Sequence, residues 1–239
     1  MNELEKIALK YDPQNDFDSV LAYYTAQIIT PQLLNKTVLE AGCSTGLITN
    51  EILKYSKDLD VIDGAGHFID VVKSKYGSAI SNYYTSYFEE FKPTKRYDAV
   101  VLAHVLHHIE SPLDLLIKIR SWLKNNGELF ISVPNIQSFH RELGVEMHIS
   151  KSIDDSSVRN DFFNQPGRFL KETLIDLVEK AGYQVADNYN YFFKPFPHNI
   201  MHELLVSNII DNKLLDGLFN MGKKHESLAC HIYLKAIKK

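Results

Sequence analysis

Between residues 37 and 134 the chain alternates short apolar runs with amphipathic stretches, and the connections between them are brief. The runs are TVLEA (37–41), DVID (60–63), NYYT (82–85), YDAVVLA (97–103) and ELFISV (128–133). Helical spacing marks a segment from Thr45 to about Tyr55 and another from Phe68 to Tyr76, the second stopped by Gly77. A third helix, residues 111–123, has Ser111 as its N-cap and Pro112 at its first position, and ends at Asn125-Asn126-Gly127. Strands that read as near-continuous apolar runs are buried on both faces. Their alternation with helices predicts a parallel sheet, doubly wound, with helices on either side. Ligands of such sheets bind beyond the carboxyl ends of the strands, where the strand order reverses. The residues to inspect therefore follow Ala41, Asp63, Thr85, Ala103 and Val133.

Flanking segments complete the expectation. Residues 17–29 read as an amphipathic helix closed by Pro31, and residues 168–181 as a helix ended by Gly182. Residues 183–193 and 228–236 are expected as sixth and seventh strands, separated by a helical stretch over 199–220. The fold expected is α/β: a seven-stranded, mostly parallel sheet with an antiparallel last strand and a helical cap insert. Its 239 residues suit a single domain. Within it, residues 1–35 are expected as an N-terminal helical lid, 36–137 as the ligand-binding core, and 138–170 with 194–225 as a substrate cap.

Charge narrows the function. The net charge is −4, and the Lys and Arg residues form no run beyond short pairs, which argues against a nucleic-acid partner. No apolar segment approaches the length of a membrane span, and Cys43 and Cys230 have no metal-type spacing. A reduced cytoplasmic protein without a metal, monomeric or homodimeric, is the expectation.

The first strand runs into Glu40-Ala41-Gly42-Cys43-Ser44-Thr45-Gly46. Two glycines allow a tight turn and close backbone approach, and a following helix would offer free N–H groups. Here the acid precedes the turn, where it would repel a pyrophosphate and attract an ammonium group. Asp63, ending the second strand, is placed to accept hydrogen bonds from two ribose hydroxyls. An amino-acid ammonium, a sulfonium and a ribose together describe S-adenosylmethionine.

The segment from about Val38 to Asn135 resembles the class I S-adenosylmethionine-dependent methyltransferases. Glu40, Gly42 and Gly46 match their first motif, with Ser44 in place of a glycine, and Asp63-Gly64-Ala65 resembles the second. AHVLHHIESP (103–112) and LKNNGELFISVPN (123–135) match the later signatures. The resemblance implies a Rossmann-like fold. It implies that Tyr87 and Phe88 flank the adenine, and that Cys43, Thr45, Ala103 and His104 help to line the cofactor site. Residues 133–147, Phe193-Lys194-Pro195 and the final strand resemble a small-molecule branch found in sugar, surface-polysaccharide and secondary-metabolite pathways. The product would be S-adenosylhomocysteine.

A hydroxyl acceptor must lose a proton as it is methylated, and histidine is suited to take it. His104, His107 and His108 follow the fourth strand. If they enter a helix, His104 and His108 share one face and His107 also neighbours His104. His107 or His108 is expected as the base. Asn135 and His140 follow strand five, and Arg141 and Arg168 are candidates for an anionic group of the substrate. Tyr11, Tyr23 and Tyr24 are candidates for an aromatic lid over the sulfonium, with Tyr11 and Tyr24 near the substrate. Oxygen of a small polar metabolite is the expected acceptor, nitrogen the second choice. Two other functions compete. A nicotinamide-dependent oxidoreductase would show Gly-x-Gly-x-x-Gly without Glu40. A catalytically silent methyltransferase-like partner would tolerate Ser44 and Ala65.

Overall fold

The computed structural model describes residues 3–155 and 165–239. Seven strands form one sheet: β1 (Thr37–Ala41), β2 (Asp58–Asp63), β3 (Asn82–Thr85), β4 (Tyr97–Ala103), β5 (Leu123–Pro134), β6 (Tyr183–Tyr191) and β7 (His231–Lys238). Their spatial order is β3-β2-β1-β4-β5-β7-β6. The neighbours from β3 to β5 pair in parallel, and β7 runs antiparallel to both β5 and β6. The order reverses between β1 and β4, so the crevice beyond Ala41 and Ala103 is where a ligand site belongs.

The helices are α1 (Glu3–Ala8), α2 (Asp18–Ile29), α3 (Thr49–Ile52), α4 (Gly66–Tyr76), α5 (Pro112–Trp122), α6 (Phe139–Glu146), α7 (Lys171–Lys180), α8 (His198–Val206) and α9 (Asn212–Lys224). One face of the sheet packs Leu21 and Ile29 of α2, Ile52, Ile69, Val72, Met201 and Leu215 into a single apolar cluster. The other face buries Leu115, Leu116, Ile119 and Trp122 of α5 with Leu174 and Val178 of α7. Each such aliphatic side chain contributes about 1.5–3 kcal/mol when fully buried.

Several boundaries differ from those expected. The helix after the glycine turn is one turn long, not a run to Tyr55. Its hydrogen bonds switch between three- and four-residue spacing from Glu51 to Tyr55, and the side chain of Thr49 is drawn to Glu40. The stretch 199–220 is two helices. The chain breaks after Val206, passes through Asn208 at φ +56°, and restarts where Asp211 accepts a hydrogen bond from the Leu214 N–H. Strand β5 begins earlier than expected, at Leu123, but residues 124–127 bulge between the Tyr97–Leu123 and Ala99–Glu128 pairs. Helix α7 starts at Lys171 rather than Arg168, because Phe169 bridges to Asn135.

Candidate active site

A cavity of about 1460 Å³ opens at the strand-order reversal. Its floor is the first loop. Gly42 has φ +86° and donates its N–H to the Ile62 carbonyl at 2.8 Å. A Cβ there would lie 2.3 Å from Val105 Cγ2, so only glycine lets the β1 and β4 loops meet. Ser44, at φ +47°, donates its N–H to Asp63 Oδ2 at 3.1 Å. Asp63 Oδ1 accepts the Ala65 N–H at 3.0 Å. One carboxylate thus ties the two loops together and keeps further lone pairs for a ligand.

Both acids of this rim are buried. Glu40 is 3% exposed and lines the cavity, and Oε2 accepts the Thr49 hydroxyl at 2.6 Å. Burial pushes its carboxyl up to about 8, and Asp63 adds to the rise. Asp63 is pushed up to about 6 by burial, against the pull of its backbone donors. The hydroxyls of Ser44 and Thr45 are buried without a partner. The site therefore holds two buried acids without a cation beside them among the described residues, and two hydroxyls short of a partner.

Gly64, Cys43, Tyr87, Phe88 and Ala103 also line the cavity. Gly46 and the buried Ala65 lie behind the wall; Gly46 accepts the Tyr76 hydroxyl through its carbonyl at 2.9 Å. Helix α1 lies across the wall formed by Gly64 and the start of α4. Leu4 closes on Gly64, and the Glu5 carboxylate accepts the Gly66 and His67 N–H groups that open α4.

Beyond β4 the expected helical face does not form. His104 is left-handed at φ +58°, and a 3-10 turn covers Leu106–His108. The His107 and His108 rings pack at 4.2 Å, while His104 packs edge-on against His231 at 4.8 Å. All three of the expected histidines line the cavity. His107 is 5% exposed, with a buried, unpartnered Nδ1. Burial pushes His107 well below the ordinary histidine range, and His104 down to about 4.

The substrate-side candidates divide. Tyr11 lines the cavity and donates its hydroxyl to Asp18 Oδ2 at 2.8 Å. Tyr24 does not line it. It is buried between α2 and α9, stacks on Phe219 at 4.7 Å, and donates to Asp216 at 2.7 Å. Tyr23 is exposed. His140 and Arg141 line the cavity, with Arg141 donating to the Ile153 and Asp155 carbonyls. Arg168 lies outside the lining and donates to the Gln165 and Gly167 carbonyls. Asn135 lines the cavity, but its amide donates to the Ala229 carbonyl at 2.9 Å and accepts the Gln137 N–H.

The lining residues that went unforeseen include Asp18, Lys194, His198 and His231. His198 Nε2 stands 3.1 Å from Asp16 and 3.0 Å from Asp18, and its Nδ1 is 3.4 Å from the Lys194 ammonium. Lys194 belongs to the Phe193-Lys194-Pro195 step and lies four residues before His198; no local spacing in the sequence ties either to Asp18.

The sequence model of a family described as "Methyltransferase domain" matches residues 16–188, well over half of the chain. The chain belongs to the class I methyltransferases. Among this methyltransferase's relatives is the ubiquinone biosynthesis O-methyltransferase of Rickettsia canadensis (strain McKiel), 25% identical over 198 residues, which are 82% of this chain and 71% of that protein. A malonyl-[acyl-carrier protein] O-methyltransferase of Halalkalibacterium halodurans is 26% identical over 56% of this chain, which spans about half, 54%, of that relative's length. The N-methyltransferase NodS of Bradyrhizobium japonicum WM9, in complex with S-adenosylhomocysteine, shares the fold with a TM-score of 0.57 at 12% identity, over 91% of this chain and 85% of that one. The family's cofactor is S-adenosylmethionine, and the methyltransferase's rim suits it: Glu40 for an ammonium, Asp63 for hydroxyl donors, Tyr87 and Phe88 for a flat ring. Among the described residues, no helix is long and apolar enough to cross a membrane.

Proposed function

We infer that the protein transfers a methyl group from S-adenosylmethionine to an oxygen of a small polar metabolite. The observation that carries this reading is the pair of buried acids, Glu40 and Asp63, lining a cavity that His104, His107 and His108 after β4 also line. The two O-methyltransferase relatives favour oxygen over nitrogen.

The residues divide the work. Glu40 accepts the amino-acid ammonium, which draws its carboxyl back to the ionised form. Asp63 accepts the ribose hydroxyls, and Tyr87 and Phe88 hold the adenine. When bound, the cofactor supplies an activated methyl group on a sulfonium. What remains for the protein is alignment, exclusion of water and removal of one proton. His104, His107, His108, His140 and His231 surround the chamber in which the acceptor would lie. Burial holds His104, His107, His140 and His231 neutral, so that they carry no positive charge into the chamber. Arg141 and the buried Lys194 supply positive charge for an anionic part of the same molecule.

The test offers the purified protein tritiated-methyl S-adenosylmethionine and an extract of its source organism, separated into small-molecule, protein and nucleic-acid fractions. Label is expected in the small-molecule fraction, as a methyl ether or ester. Label on nitrogen, or in protein or nucleic acid, contradicts the reading.

A further inference from the structure

The protein holds a buried chain of hydroxyls that ends on a histidine of the chamber. Ser132 Oγ lies 2.7 Å from the Tyr191 hydroxyl, Tyr191 lies 2.6 Å from Thr25 Oγ1, and Thr25 lies 2.8 Å from His104 Nε2. Thr25 Oγ1 also lies 2.7 Å from the Leu21 carbonyl. Ser132 and Tyr191 are fully buried, and Thr25 is 1% exposed.

One assignment of protons satisfies every contact. A carbonyl oxygen can only accept, so the single Thr25 proton goes to Leu21. Thr25 then accepts from both Tyr191 and His104. Tyr191 donates to Thr25, so Ser132 donates to Tyr191. Burial pushes the Tyr191 phenol up, which keeps it a donor. His104 must therefore carry its proton on Nε2, and Nδ1 is left as a bare acceptor.

The backbone supports the same arrangement. His104 is held left-handed at φ +58° directly after β4, with its N–H donated to the Ser132 carbonyl at 2.9 Å. Such a conformation costs energy for a residue with a side chain and persists where the surroundings enforce it. His104 is also adjacent to Val105, which meets Gly42 at the strand-order reversal. By contrast, His107 Nδ1 is sealed in the cavity wall.

We propose that His104 is the residue that takes the acceptor's proton, through Nδ1, with Thr25, Tyr191 and Ser132 as positioning residues that fix its tautomer. This rests on the O-methyltransfer reading. In the step, the acceptor oxygen forms a bond to the methyl carbon as the carbon–sulfur bond breaks and its electron pair returns to sulfur. The O–H electron pair stays on the oxygen, and the proton passes to Nδ1 and then to water in the cavity. Charged or titratable groups around His104 come from α2 (Asp18), from its own loop (His107 and His108), from β6 (Tyr191, through Thr25) and from β7 (His231).

Nitrogen-15 NMR of the histidine-labelled protein with S-adenosylhomocysteine reads the tautomer directly. His104 is expected protonated on Nε2 and bare on Nδ1 at pH 7, and to remain neutral down to about pH 5. Thr25→Val is expected to lose that tautomeric preference. In the label-transfer assay with the small-molecule fraction, His104→Gln keeps a donor towards Thr25 but lacks the Nδ1 acceptor. It is expected to be about 100-fold slower than wild type, with S-adenosylhomocysteine affinity within threefold. His104→Asn, which tolerates positive φ and places an oxygen near Nδ1 that can accept a hydrogen bond but cannot take a proton, is expected to be as slow as His104→Gln. An Nδ1-protonated or cationic His104 at pH 7 overturns the proposal. So does wild-type turnover in His104→Gln, or loss of S-adenosylhomocysteine binding in both variants. A wild-type protein that neither binds S-adenosylhomocysteine nor transfers label removes the O-methyltransfer reading instead, and the tautomer is then read in the ligand-free protein.

Discussion

At the scale of single residues, Glu40 makes one contribution to the pH dependence of the ligand-free protein's stability. Its folded value, about 8, lies above that of an unfolded glutamate. The folded state then holds a proton that the unfolded state has lost, so the group's contribution is complete below about pH 4.5 and fades as pH rises towards 8. Glu40→Gln keeps an acceptor for Thr49 and removes that titration. Thermal unfolding should therefore show Glu40→Gln gaining on wild type between pH 5 and 8, by an amount on the order of 3 kcal/mol at pH 7. Parallel curves for the two proteins would show that Glu40 is already ionised. Gly42 sets a second limit at this scale. Gly42→Ala meets Val105 and strains φ together, so denaturant unfolding should show a loss of about 1–3 kcal/mol. Adding Val105→Ala should restore the part due to the clash and leave the part due to φ; full restoration would contradict the backbone argument.

Elements carry the next constraint. The Tyr24–Asp216 bond joins α2 to α9, away from the cavity. Tyr24→Phe should lose about 1 kcal/mol of stability while leaving S-adenosylhomocysteine affinity unchanged; a change in affinity measured by calorimetry would return Tyr24 to the site. Its burial was not legible in sequence, because Tyr23 and Tyr24 both fit an amphipathic helix and only the packing of α9 decides which turns inward. Strands β1 and β4 were legible almost to the residue, since buried parallel strands write themselves as apolar runs; β2 begins two residues before its expected run, at Asp58. Helix α3 was not. Its apolar spacing suits a longer helix, but the turn geometry from Ser44 to Gly46 and the pull of Glu40 on Thr49 leave it one turn. The loop after β4 misled for a related reason: helical spacing was assumed for His104, His107 and His108, and the positive φ of His104 breaks it.

For the whole molecule, the sheet order brings together groups that lie far apart in the chain. Glu40, Asp63, His104, Lys194, His198 and His231 come from five regions and meet in one cavity. That Glu40 and Asp63 lie together was readable because they sit at the ends of consecutive strands. The far side of the cavity was only partly readable. His140 and Arg141 follow β5 directly, but Lys194, His198 and His231 are delivered by the β6, α8 and β7 excursion, whose return depends on antiparallel pairing. The central claim is that the β1 and β2 rim holds S-adenosylmethionine by its amino-acid and ribose ends. Calorimetric titration of the wild type and Glu40→Ala with S-adenosylhomocysteine tests it most directly. One-site binding is expected for the wild type, with about one proton released at pH 7 as Glu40 ionises against the ammonium, and 10- to 100-fold weaker binding for Glu40→Ala, about what one charged hydrogen bond contributes. No binding by the wild type, or equal affinity in the two proteins, would contradict the account.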